Sequence, residues 1–261
     1  QMPVWQKGQG IGVKLVTVFP HNGARNLPSV AAVFTLFDDA TGQPLAMLEA
    51  SEMTARRTAC TSALAADYLV RHDAERLLIV GSGTLAAHMV RAHCCVRPYR
   101  DVQIWGRSPQ KLAPLVAQLQ AEGFPVTASS DLQASVEQAD SITCITTSRE
   151  PLVLGAWLSP GTHLDLVGAF LPSMRETDSA AVARARIVVD TCEGALHEAG
   201  DLLFALADGV INRQAIATEL KDLLNGHGQR QSEAEITLFK SVGFALEDLV
   251  AARALLAQTS A

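Results

Sequence analysis

The 261-residue chain is 48% hydrophobic and 18% charged, with 21 Lys+Arg against 27 Asp+Glu and a formal net charge of −6. That length suits one large or two modest domains, and the mild acidic balance argues against a basic footprint for nucleic acid. The longest apolar runs, such as 77–80 and 187–189, fall well short of the ~20 residues of a membrane span. The opening residues, with Lys7 and Lys14, carry no apolar signal-peptide core. The expectation is a cytoplasmic protein without nucleic-acid or membrane partners.

The first seventy residues read as β-rich followed by a helix. Ile11–Phe19, Val30–Phe37 and Leu45–Glu49 are strand candidates, the last two joined by the turn signal Asp38-Asp39-Ala40-Thr41-Gly42. Ser51–Val70 has helical periodicity, with Ser51 as its expected N-cap. From Arg71-His72-Asp73 onward, apolar strands alternate with helices. The series runs Arg76–Val80, Leu85–Cys95, Val102–Trp105, Pro109–Glu122, Val126–Ala128, Leu132–Ala139 and Ser141–Ile145, then His163–Val167 and Ile187–Asp190. Such alternation marks a parallel, doubly wound sheet of Rossmann type. Beyond Asn212 the chain reads as helical, with a polar break at Asn225–Gln231 and a last amphipathic helix, Ser232–Leu256. The expected organisation is therefore an α/β dinucleotide-binding domain over 73–227, and a second α+β domain, for substrate and dimerisation, built from 1–72 and 228–261.

Five cysteines (Cys60, Cys94, Cys95, Cys144 and Cys192) are too few, too scattered and odd in number for a disulfide framework, and suit a reducing compartment. His88, His93, Cys94 and Cys95 form the one local group of metal-ligand types. Adjacent cysteines on a helix point about 100° apart, which is poor zinc geometry, so these read as buried thiols at a helix end and no metal is expected. No G-x-S-x-G or H-E-x-x-H segment supports a hydrolase.

Gly81-Ser82-Gly83-Thr84-Leu85-Ala86 follows the Arg76–Val80 strand and opens a helix. This is the G-x-G-x-x-A dinucleotide fingerprint in its required context. The first glycine permits the turn, the second lets the backbone approach a pyrophosphate, and the alanine allows close helix–strand packing. The phosphates would lie on the N–H groups of the helix N-terminus. After Val102–Trp105, where an NAD site places a carboxylate for the ribose hydroxyls, the sequence has Gly106-Arg107-Ser108. No carboxylate repels a 2′-phosphate there, and Arg107 and Ser108 offer donors to one, so NADP(H) is preferred and NAD(H) remains possible. The other reading of Arg107 is a solvated loop charge.

Several further segments fall in an ordered series. They are Gly12-Val-Lys14 with Pro20-His-Asn22, Asp39-x-Thr41-Gly42-x-Pro44, and Thr54-x-Arg56-Arg57-Thr58-Ala59. Downstream come Val167-Gly168-Ala169, Pro172-x-Met174-Arg175-Glu176, Gly200-Asp201 and Phe239-Lys240-Ser241-x-Gly243-x-Ala245-x-Glu247-Asp248. Together with the glycine turn this series resembles the ornithine cyclodeaminase/mu-crystallin family over nearly the whole chain. The resemblance implies a homodimer in which Lys14 and Arg57 grip a substrate α-carboxylate beside the nicotinamide. Read without it, either residue is equally compatible with a surface charge. It also implies that Ser29, Thr146, Val167, Gly168 and Ser241 neighbour the cofactor. Family cyclodeaminases carry an aspartate immediately after the Val-Gly-small segment, and here that position is Phe170. Family members also carry a segment ahead of the point where this chain opens, Gln1-Met2-Pro3, with a further substrate arginine.

With Phe170 in place of that aspartate, the resemblance implies NAD(P)H-dependent reduction of a small cyclic ketimine carboxylate of the Δ1-pyrroline-2-carboxylate type. The alternatives are ornithine cyclodeamination, alanine-type amino-acid dehydrogenation, and non-catalytic binding of NADP(H) and a small ligand in the manner of mu-crystallin.

Overall fold

Strand-forming residues and glycine punctuation build two separate sheets, seen in a computed structural model that describes residues 1–25, 27–28 and 30–259. In chain order the strands and helices are β1 Met2–Gln6, β2 Gly10–Val18, β3 Val30–Phe37, β4 Pro44–Glu49, α1 Ser51–Leu69, β5 Arg76–Val80 and α2 Leu85–Val96. They continue with β6 Asp101–Trp105, α3 Pro109–Ala121, β7 Val126–Ser129, α4 Leu132–Gln138, β8 Ser141–Cys144, β9 His163–Leu166 and α5 Ser179–Arg184. The last are β10 Ala185–Val189, α6 Cys192–Glu198, α7 Gly200–Ala207, α8 Leu220–Leu224, β11 Ile236–Lys240 and α9 Ala245–Thr259.

The chain divides into two compact units, one of residues 1–58 with 243–261 and the other of residues 59–242. The sequence predicts these two divisions after residues 72 and 227, and the structure moves both. The first falls inside α1, because Ala59, Ala66 and Val70 pack with the β5 residues Leu77 and Ile79. The second falls after β11, which is a strand of the larger sheet.

The first unit holds an antiparallel sheet in the order β1-β2-β3-β4. At the β3–β4 turn, Asp38 Oδ1 accepts from the Thr41 N–H at 2.7 Å and the Ala40 N–H at 3.2 Å, closing the hairpin as an Asx turn. One face of the sheet buries Ala32, Phe34 and Leu36 against Leu249 and Ala252 of α9. β1 gives no strand signal of its own in the sequence, since Met2–Gln6 is short and mostly exposed. Ser51 is not the N-cap: the Ala50 carbonyl accepts the Thr54 N–H, while the Ser51 hydroxyl accepts the Ala32 N–H at 3.2 Å.

The second unit holds seven parallel strands in the order β10-β11-β9-β8-β5-β6-β7. β5 reads Arg-Leu-Leu-Ile-Val with its last four residues buried. Such continuous apolar runs are expected of strands covered on both faces. On α2 the buried residues Ala86, Met89, Val90 and His93 form one stripe against that sheet. The helix expected over Ser232–Leu256 is corrected: Ile236–Lys240 is a strand paired with β10 and β9, and α9 begins only at Ala245. All five residues of β11 are buried, so it lacks the alternation that marks a half-exposed strand and cannot be told from a helix by periodicity. The polar stretch 225–231 therefore leads into the larger sheet, not back to the first unit. Cys95 is exposed and Cys94 half-buried, which corrects the expectation of buried thiols at the end of α2.

Candidate active site

In the first unit, period-two alternation along β2 turns Lys14 onto the buried face, where the residue is 1% exposed. An ammonium taken out of water needs a compensating charge. That charge is Asp248, fully buried in the first turn of α9, whose Oδ2 lies 2.6 Å from Lys14 Nζ. Its other oxygen, Oδ1, accepts from Arg57 Nε on α1 at 3.0 Å, and Arg57 Nη1 pairs with Glu247. One carboxylate thus bridges both cations predicted to hold the substrate. Burial lowers the Lys14 pKa below its ordinary value and the Arg57 cation lowers it further, while Asp248 opposes both. A lysine shifted this way releases a proton more readily near neutrality than a solvated one. The motif containing Glu247 and Asp248 was legible in the sequence, but nothing there assigned either residue a partner.

In the second unit, the predicted cofactor residues follow the C-terminal ends of parallel strands, the edge at which doubly wound sheets hold ligands. Gly81 takes φ +131°, a conformation L side chains rarely adopt, and its N–H donates to the Trp105 carbonyl at 2.8 Å. Gly83 and Thr84 are exposed, Ser82 and Leu85 half-buried, and Ala86 packs fully buried at the helix start. A Cβ added at Gly83 would meet nothing within 4 Å, and Thr84 gives the helix no side-chain cap. Open space beside an uncapped helix start fits a pyrophosphate.

Arg107 is exposed beyond β6, and Ser108 is half-buried with its hydroxyl donating to Gln110 Oε1 at 3.1 Å. Thr146 follows β8, Val167 and Gly168 follow β9, and Ser241 follows β11. Those last two loops are tightly placed. A Cβ at Gly168 would lie 2.0 Å from the Thr146 carbonyl oxygen, so only glycine fits. The Ser241 hydroxyl donates to Asp190 Oδ2 at 3.2 Å, a partner the sequence did not indicate. Phe170 is half-buried in the loop after β9. Ser29 lies outside the described residues.

A glycine-turn parallel sheet and a two-cation cluster thus stand in one chain, which matches the ornithine cyclodeaminase/mu-crystallin family over residues 1–261 and belongs to it. A Δ1-pyrroline-2-carboxylate reductase of Paracoccus denitrificans is 43% identical over 95% of this chain and 79% of its own length. The structure of the Thermococcus litoralis Δ1-pyrroline-2-carboxylate reductase in complex with NADH and L-proline is 35% identical and superposes with a TM-score of 0.93, over 96% of this chain and 78% of that one. An archaeal alanine dehydrogenase dimer with bound NAD is 28% identical, with a TM-score of 0.91 over all of this chain and 85% of its own.

Proposed function

We propose that this protein catalyses NAD(P)H-dependent reduction of a small cyclic ketimine carboxylate, of the Δ1-pyrroline-2-carboxylate type, to the cyclic amino acid. The observation that carries the reading is the pairing of Lys14 and Arg57 about Asp248. It occurs in a chain 43% identical to one such reductase.

The reaction adds a hydride to the imine carbon and a proton to the ring nitrogen. The 81–86 turn and the start of α2 would hold a nicotinamide dinucleotide through its pyrophosphate, and its reduced form would supply the hydride. Arg57 and Lys14 take the substrate carboxylate, the guanidinium fork suiting its two oxygens. Fixing the carboxylate orients the ring, which lowers the entropic part of the barrier. Lys14, whose ammonium carries the proton, would give it to the ring nitrogen. Its lowered pKa favours that transfer, and Asp248 keeps the lysine in place through the cycle.

Phe170 supports reduction over ornithine cyclisation, because its ring can neither titrate nor receive an ammonium as a carboxylate would. NADPH is the preferred cofactor in this reading, supported by Arg107 and by the absence of Asp or Glu at 106–108. The working unit is a homodimer. The sheet face of the first unit turned away from α9 exposes Trp5, Leu15, Val33 and Met47, the first 65% and the last 75% exposed. An apolar face of this kind fits a second copy. A cytoplasmic location belongs to the same proposal, supported by five cysteines that are all free thiols. No helix among the described residues is long and apolar enough to cross a membrane.

The testing experiment offers Δ1-pyrroline-2-carboxylate with NADPH and then NADH, and follows absorbance of the reduced cofactor. Consumption with proline as product is expected. Absence of consumption, with proline and ammonia formed from ornithine and NAD⁺, would overturn the reading.

A further inference from the structure

A single fully buried carboxylate ties together the loops that follow β8 and β9. Glu176 Oε1 accepts from the Thr146 N–H at 2.5 Å and the Thr146 hydroxyl at 2.9 Å. Its Oε2 accepts from the Gly168 N–H at 2.7 Å and the Ala169 N–H at 3.1 Å. Four donors on two oxygens fill the acceptor capacity of an ionised carboxylate, and a neutral acid or an amide would turn a donor toward one of them.

Glu176 is itself held. Asp201 Oδ1 accepts the N–H of Glu176 at 2.7 Å and that of Thr177 at 3.0 Å. Lys240 Nζ, at the end of β11, stands 3.4 Å from Asp201 Oδ2, with both side chains fully buried. A chain of Lys240, Asp201 and Glu176 therefore links the ends of β11, β9 and β8. Burial pushes the Glu176 carboxyl up to about 7, with the Lys240 cation as the chief opposing influence.

The place of this network says more than its existence. Strand order reverses about β5, with β8 on one side and β6 on the other, and the crevice outside the strand ends at that switch point is where a dinucleotide lies. Arg107 follows β6, the adenosine side. The other half of the dinucleotide falls on the side of β8 and β9, where Thr146 and Gly168 stand. Because a Cβ at Gly168 would lie 2.0 Å from the Thr146 carbonyl, these loops have no slack between them.

We propose that Glu176 is a positioning residue for the nicotinamide half of the cofactor, fixing the Thr146 and Gly168 loops at the spacing that half requires while touching neither cofactor nor substrate. The inference rests on the dinucleotide reading of the 81–86 turn. Its consequence is selective: loss of the carboxylate weakens binding of the nicotinamide half and leaves the adenosine half alone.

The test compares wild type with Glu176→Gln, Thr146→Val and Thr146→Ser at about pH 8, where the carboxyl is mostly ionised. Two ligands are titrated by calorimetry, the reduced cofactor that wild type binds more tightly and the matching fragment without nicotinamide, ADP-ribose or its 2′-phosphate. Glu176→Gln is expected to weaken the whole cofactor about tenfold, as loss of a charge-assisted bond does, and the fragment by less than about twofold. Thr146→Val, which keeps the shape of the side chain, should show a smaller loss with the same selectivity should the glutamine variant fail to fold. Thr146→Ser should restore binding. Equal weakening of cofactor and fragment, or no weakening of either, overturns the proposal. Failure of wild type to bind either ligand overturns the dinucleotide reading itself, and so separates the two.

Discussion

Asp248 lies 2.6 Å from Lys14, although the two residues sit near opposite ends of the chain, and both side chains are almost entirely removed from solvent. The same carboxylate holds Arg57, which also pairs with Glu247, so Asp248 is the one acid that bridges both cations. Asp248→Asn keeps the shape and removes the charge. It should cost about 3–5 kcal/mol of stability, the usual consequence of breaking a buried ion pair. Urea unfolding measures this, and a loss under about 1 kcal/mol would show that the pair is not the anchor it looks.

Lys14 makes the pH dependence specific. Its pKa in the folded protein is lowered by burial and then by Arg57, so the folded state holds fewer protons than the unfolded state between that value and the ordinary 10.5. In that window this group makes stability rise with pH; below it the full cost of burying the ammonium applies. In the proposed mechanism the ammonium is the proton donor and is lost across the same range, so the alkaline limb of the kcat profile should lie below 10.5. Because Asp248 opposes the shift, Asp248→Asn should move that limb to still lower pH. A limb that stays put in the variant would remove Lys14 from the proton-transfer role.

Two glycines give opposite expectations. Gly168→Ala places a Cβ 2.0 Å from the Thr146 carbonyl oxygen, and should destabilise the cofactor-free protein by about 1–3 kcal/mol or more. A Cβ at Gly83 meets nothing within 4 Å, so Gly83→Ala should leave thermal unfolding of the cofactor-free protein unchanged. It should nevertheless weaken cofactor binding, since the added methyl occupies the approach to the pyrophosphate. Calorimetry with and without NADPH separates these effects, and unchanged cofactor affinity in Gly83→Ala would contradict the phosphate-loop reading.

What the sequence disclosed follows from how local each signal is. The Arg76–Val80 strand and the 81–86 turn lie within a dozen residues, and their spacing alone announces them. β11 was hidden because a strand buried on both faces has no period. Asp248 carried no visible role because its partner Arg57 is 191 residues away, a contact only the fold creates. Glu176 stood within a recognised motif, yet its four donors belong to loops after two different strands.

The proposed preference for NADPH rests on Arg107. Arg107→Asp places a carboxylate where a 2′-phosphate would lie, and should shift the ratio of kcat/KM for NADPH over NADH toward NADH by about tenfold or more. An unchanged ratio would assign the discrimination to another residue.

The apolar sheet face should carry self-association. Val33→Asp with Met47→Lys puts charges on exposed positions of β3 and β4, which costs the monomer little and an interface much. Sedimentation should find a dimer for wild type and a monomer for the double variant; identical sedimentation of the two would move the interface elsewhere.

The most direct measurement follows the hydride itself. Δ1-Pyrroline-2-carboxylate is mixed with protein and NADPH or NADH carrying deuterium at the transferable position of the nicotinamide, and the product is examined by mass spectrometry and proton NMR. Proline with one deuterium on its α-carbon is expected, formed by wild type and strongly reduced in an Arg57→Met variant that still binds cofactor. Proline without deuterium, or no proline from the imine alongside deamination of ornithine, would contradict the proposed reduction.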